Sequence, residues 1–293
     1  MIFVLLVFYI FARVAINVLY KVNKQPTAKT MFVSDFWCML FCIILFGLSF
    51  AFWDNPLAYL TWEAFGWITL RSVLGVFSFF AFLQAIKRLP VSIFSPVATV
   101  RIAPLVIVGQ FVFGDAVTIA AIVLASVIFV SSTLLSIVLS NNKSQDGDDK
   151  TNYGVGFAWL FVFIVGLVSI LILIRHIGDM GVNVFVFAAI AMTMMFIIDF
   201  IVLQIARQKP IKAFRESWND KILLPLSVLE TIIIVLYVPL VLAMNIGILD
   251  AIMVSATALT VLAGVVILKE RIRWHGYILI AIILGCAVAL SLV

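Results

Sequence analysis

Long apolar runs separated by short polar breaks dominate this chain. Reading for uninterrupted apolar length predicts ten helices, over 2–20, 31–52, 65–86, 91–113, 116–139, 154–174, 182–206, 222–245, 250–268 and 274–292. Each is close to the roughly 20 residues that carry an α-helix across the hydrocarbon core of a bilayer. The breaks are chemically plain: KVNKQPTAK, WDNP, KRLP and FGD follow the first four runs. The first run has no basic flank and no small-residue cleavage site, so it reads as a span rather than a cleaved secretory signal. The longest polar stretch, NNKSQDGDDKTN at 141–152, has nothing to bury and reads as a flexible linker. Five runs precede it and five follow.

Composition turns this pattern into a solvent assignment. Apolar residues make up 65% of the chain and charged ones 11%, against roughly 45–50% and about 25% in soluble domains. A soluble fold cannot wet its surface with so few polar side chains. The expectation is an all-α polytopic membrane protein in the cell membrane, with the lipid bilayer as its surroundings. The net charge of +5 invites a nucleic-acid partner, but the basic residues sit at the ends of apolar runs, where they fix orientation instead. Cys38, Cys42 and Cys286 lie inside apolar runs without metal-ligand spacing. No metal, cofactor or nucleic acid is expected.

An equal division calls for a search for internal repeats. Aligning Ala85 with Ala243 places FFAFLQAIKRLPVSIFSP over YVPLVLAMNIGILDAIMV. Each half then runs through an apolar helix to an acidic turn, FGD at 113–115 and KE at 269–270, and a last helix. An odd number of spans per half inverts the second copy, as in secondary transporters. The expected units are a first five-helix repeat at 1–140, a linker at 141–153 and an inverted repeat at 154–293.

The third-to-fifth-span segments, LQAIKRLPVSIFSPVATVRIAPLVIVGQFVFGD and LAMNIGILDAIMVSATALTVLAGVVILKE, resemble the EamA-like family of the drug/metabolite transporter superfamily. The chain departs from that family's Gly-Glu ending with Gly114–Asp115 and Lys269–Glu270. The resemblance implies a transporter, with both termini inside the cell. Charge gives the opposite orientation. The connections after spans 1, 3, 5, 7 and 9 carry three, two, two, five and three Lys or Arg, and the others together carry Arg175 alone. The positive-inside rule puts the rich set in the cytoplasm and both termini outside.

Ionisable residues inside the spans are the candidates for function, because each costs at least about 2.5–3.5 kcal/mol at a helix centre unless partnered or hydrated. They are Arg13, Arg71, Arg101, Asp199 and Glu230; Asp35 and Asp250, close to span ends, are expected to reach water. Arg71 lies 14 residues before Ala85 and Glu230 lies 13 before Ala243, so the two occupy matching places with opposite charge. They either flank a substrate or form a fixed ion pair. Arg101, between Pro96 and Pro104, offers a planar fork for a carboxylate or phosphate, or pairs with Asp199 or Glu230. Ser92, Ser95 and Thr99 define a different face of that span. Asp199 and Glu230 are expected at similar depth, where adjacent carboxylates hold a proton, or else each pairs with Arg13 or Arg101. Tyr237 shares a helix face with Glu230 and joins the substrate-binding set. Asn17, Gln84, Gln110 and Gln204 are weaker candidates, and Ser255, Thr257, Thr260 and Gly264 read as helix packing. Trp53, Trp62 and Trp67 form an interfacial belt, and His176 and His275 lie at span ends.

The functional expectation is a non-enzymatic secondary transporter for a small metabolite bearing a carboxylate or phosphate, as a monomer or homodimer. The alternatives are a polytopic enzyme acting on lipid or lipid-linked substrate, and a channel.

Overall fold

The computed structural model describes residues 2–23, 25–89, 94, 97–114, 118–143, 153–205, 209–217, 221–243, 246–253, 255–268 and 274–290. Every described element is helical: α1 (Ile2–Val22), α2 (Thr27–Ser49), α3 (Trp62–Arg88), a 3-10 turn (Thr99–Arg101), α4 (Ile102–Phe111), α5 (Ile119–Lys143), α6 (Tyr153–Asp179), α7 (Val184–Ile205), α8 (Pro210–Ser217), α9 (Leu223–Ala243), α10 (Ile246–Met253), α11 (Ser255–Leu268) and α12 (Trp274–Leu290). Six of these, α1, α2, α3, α6, α7 and α9, are long and apolar enough to cross a membrane. The chain is an all-α integral membrane protein.

Polar side chains start the helices where the sequence breaks. Thr61 caps α3 by accepting from the Ala64 amide at 3.1 Å, and Thr118 does the same for Ala121 at the start of α5. Asn183 accepts from the Phe185 amide at 2.9 Å to open α7, just after Gly181 turns the chain at φ 79°. Two predicted spans differ from the helices found. The fourth, 91–113, is described as the 3-10 turn followed by the ten-residue α4. The ninth, 250–268, begins earlier, at Ile246, and is described as α10 and α11 on either side of residue 254, which lies outside the described residues. Residues 144–152 of the expected linker, and Asp115 and Lys269–Glu270 of the acidic turns, lie outside the described residues.

Packing follows close pairs. Helix α3 runs along α6 and α7, α2 along α7 and α9, α1 along α9 and α11, α5 along α12, and α4 along α10. Small residues allow the closest approach: a Cβ on Gly166 of α6 would stand 2.9 Å from the Ser78 Cβ of α3. Helices α2 and α7 are antiparallel, since Trp53 beyond the end of α2 meets Phe185 at the start of α7 while Phe32 meets Phe196 and Phe200. The distribution of side chains inverts that of a soluble protein. Phe8, Phe11, Phe77, Phe161 and Val266 are exposed, whereas Asp35, Arg71, Asp199 and Asp250 are buried. Such a surface is stable against lipid tails, and the polar groups have to find partners within the protein.

The basic connections after α1, α3 and α7 meet at one end. Lys21 donates to the carbonyls of Ile86 and Leu89, at 2.9 and 2.8 Å, and Lys87 donates to that of Gln25 at 2.5 Å. These bonds tie the connection after α1 to the end of α3. The amphipathic α8, which carries Lys212 and Arg215, seats Phe214 against Phe36 and Trp37 near the start of α2. Arg175, at the far end, bonds the Val241 carbonyl and pairs with Asp179. A topology with this basic end in the cytoplasm predicts a clear labelling result. With Cys286 replaced by Ser, a cysteine at exposed Asp54 reacts with an impermeant thiol reagent in intact cells. One at exposed Arg215 reacts only after permeabilisation. The opposite pattern would place the termini inside.

Candidate functional site

A cavity of about 220 Å³ opens among α1, α2, α3, α6, α7, α9, α10 and α11, and it is lined by Arg13, Arg71, Arg101, Asp35, Glu230 and Asp250. One face of α1 supplies Tyr9, Arg13, Asn17 and Tyr20, at steps of four, four and three residues. Helix α3 supplies Arg71, Gly75 and Ser78, and α9 supplies Glu230 and Tyr237. Arg13, Arg71, Arg101, Glu230 and Tyr237 thus line one space. Asp199 is buried just outside it.

The charges are partnered unequally. Arg101 pairs with Asp250, its Nε 3.0 Å from both carboxylate oxygens, and its Nη1 donates to the Ala98 carbonyl at 3.0 Å. The partner is neither Asp199 nor Glu230, as expected from sequence. Phe94, Ala98 and Arg101, at steps of four and three residues, face the cavity together. Ser92, Ser95 and Pro96 lie outside the described residues.

Glu230 is held by hydrogen bonds. Its Oε1 accepts from the Tyr20 hydroxyl, and its Oε2 accepts from Ser34 Oγ at 2.6 Å and from Cys38 Sγ at 3.6 Å. Donors from α1 and α2 therefore fix a carboxylate on α9, with Arg13 as a nearby positive charge. Glu230 makes no ion pair with Arg71. Arg71 instead directs Nη1 at the Met195 sulfur at 3.2 Å and lies 5.6 Å from the Phe187 ring centroid, while its Nε has no hydrogen-bond partner. Among the described residues, Arg13 and Arg71 have no carboxylate bonded to them.

Asp35 and Asp250 do not reach water. They are 2% and 3% exposed, well inside the protein. Asp35 is nine residues into α2, whose helix starts four residues before the apolar run. Asp250 lies within α10, which packs along α4. Asp35 faces Asp199 across the α2–α7 contact within hydrogen-bonding reach. Asp199 therefore meets another carboxyl, not Arg13, Arg101 or Glu230.

The remaining candidates separate cleanly. Asn17 donates to Thr260 Oγ1 at 3.4 Å, Thr257 lines the cavity, and the Tyr237 hydroxyl, unbonded, belongs to a ring 5.9 Å from that of Tyr9. Gln84 bonds Thr27 at the basic end, and Gln110 and Gln204 are exposed on the outside. His176 packs edge-on against Trp67, and Trp53 and Trp62 are exposed. Sequence reasoning passed over Tyr9, Tyr20, Ser34 and Cys38; the helical stripe on α1 was the available signal for the two tyrosines.

No family model matches the chain, and no curated protein does. A solved structure named only "Crystal structure of protein" superposes on it with a TM-score of 0.70, over 99% of this chain and 97% of its own, at 16% identity. That likeness establishes the fold alone.

The Arg101–Asp250 pair makes a stability prediction. Asp250→Asn leaves a buried guanidinium unpaired, which costs about 3–5 kcal/mol in soluble proteins. Thermal unfolding in detergent should fall sharply for Asp250→Asn and recover for the double variant with Arg101→Gln. Equal loss in single and double variants would show that the pair is not the unit of stability.

Proposed function

We propose that the chain is a secondary transporter that moves a small carboxylate- or phosphate-bearing metabolite across the cell membrane by alternating access. In this reading ten spans form two inverted five-helix repeats, 1–140 and 154–293, as the EamA-like resemblance implies. The pattern of helix pairs supports the repeat. Exchanging the halves turns α1–α9 into α6–α3 and α2–α9 into α7–α3, and leaves α2–α7, α4–α10 and α5–α12 unchanged; each of these is a packed pair. The cavity then lies between the halves, where transporters of this construction bind solute.

The observation that carries the reading is the pair of guanidiniums, Arg13 and Arg71, that line the cavity with no bonded carboxylate among the described residues. Charged side chains held in a bilayer without a counter-ion are costly, and an anionic solute would supply that counter-ion. Glu230, Tyr20 and Tyr237 then provide hydrogen-bonding groups on the opposing helices.

Counterflow in liposomes tests this directly. Purified protein should exchange at least one solute from a panel of carboxylates, amino acids and sugar phosphates with saturable kinetics. Arg71→Gln should reduce that exchange about tenfold or more, equivalent to about 1.4 kcal/mol. Unsaturable ion flux would indicate a channel, and recovery of chemically altered solute would indicate an enzyme. Near-normal exchange by Arg71→Glu combined with Glu230→Arg would remove these two residues from the binding site.

A further inference from the structure

The α2–α7 contact places two carboxyl groups face to face in the interior. Asp35 and Asp199 are each 2% exposed. Asp35 Oδ2 and both oxygens of Asp199 receive no hydrogen bond from any N–H or hydroxyl donor among the described residues. Ring contacts fix the depth of the pair, with Phe32 of α2 stacked 5.3 Å from Phe196 of α7 and Phe36 edge-on to the same ring at 5.7 Å. Phe32 and Leu203, buried in one apolar cluster, lie on the basic-end side of the carboxyls. Asp35 also lines the cavity, which gives the pair a polar path to the space that Arg71 faces.

Two carboxylates in mutual contact cannot both carry full charge without donors, whereas one proton between them satisfies an oxygen of each. We propose that Asp35 and Asp199 together form a proton-binding site opening on the cavity through Asp35. The groups around it are consistent with this occupant. Helix α9 presents Glu230, already bonded by Tyr20, Ser34 and Cys38; α3 presents Arg71, whose charge acts on Asp35 without a direct ion pair. Helix α2 itself carries Cys38, Cys42 and, six residues before Asp35, Lys29, while Lys212 and Arg215 of α8 are exposed. Arg71, 8% exposed and with Nε unbonded, leaves the pair uncompensated by any direct ion pair. A proton satisfies the two oxygens without the coordination sphere that a metal cation requires.

The use of this proton in coupling rests on the transporter reading; the binding itself does not. Infrared difference spectroscopy of the full chain in lipid nanodiscs, stepped from mildly acid to alkaline buffer, reads the proton without any solute. The wild type should show a carboxylic-acid C=O band that is lost on alkalinisation. Asp35→Asn and Asp199→Asn should each lose that band. Glu230→Gln and Asp250→Asn should keep it, and Asp199→Glu should keep it at a shifted frequency, which controls for misfolding. Absence of the band in the wild type, or its persistence in either Asn variant, would overturn the site. Loss of the band on replacing choline by sodium at constant pH would overturn the proton as occupant in favour of a cation. Failure of counterflow with the band intact would instead remove the transporter reading and leave the proton site standing.

Discussion

A polar group placed among lipid tails has no water to fall back on, and this constraint decides how the interior of the molecule is built. The outward faces are covered with phenylalanine, valine and isoleucine, which favour tails and offer no partner. Every ionised side chain within the long helices must therefore be satisfied from inside the bundle. Arg101 is satisfied by Asp250, and Glu230 by two hydroxyls and a thiol. These contacts join helices from opposite halves of the chain: α1 and α2 with α9, and the turn before α4 with α10.

What remains is unequal, and the inequality gives the cavity its character. Arg13 and Arg71 line it with positive charge that no bonded carboxylate cancels among the described residues, while Asp35 and Asp199 bring together carboxyl oxygens that receive no hydrogen bond from an N–H or hydroxyl donor among the described residues. A static scaffold gains nothing from such an arrangement, since apolar residues of similar volume pack as well or better. Sites that exchange their partners need groups left open in this way.

Much of the architecture was legible in the chain because apolar length is a strong signal in this solvent. The long helices α2, α3, α6, α7 and α9 fall where uninterrupted runs predict them. The same signal carries less detail within a span. Within 91–113 it does not show the 3-10 turn at Thr99–Arg101 ahead of α4. It also misplaced Asp35 and Asp250, because the distance to a span end was measured from the apolar run rather than from the helix, which starts earlier in both cases. Tyr9 and Tyr20 were hidden for a different reason. An aromatic ring counts as apolar in a hydropathy sum, and only the spacing Tyr9, Arg13, Asn17, Tyr20 exposes its hydroxyl as part of a polar stripe. Which carboxyl meets which cation depends on tertiary packing, and no local pattern encodes it.

Alternating access is the central claim, and it is testable without knowing the solute. Thr257 lines the cavity wall and takes part in none of the ion pairs. A cysteine there, with Cys38, Cys42 and Cys286 replaced by Ser and the protein in fixed orientation in sealed liposomes, should react with an impermeant maleimide supplied outside and, in a separate sample, with the same reagent trapped inside. The liposomes should stay tight to ions throughout. Reaction from one side only, or reaction from both with a standing ion leak, would contradict the account.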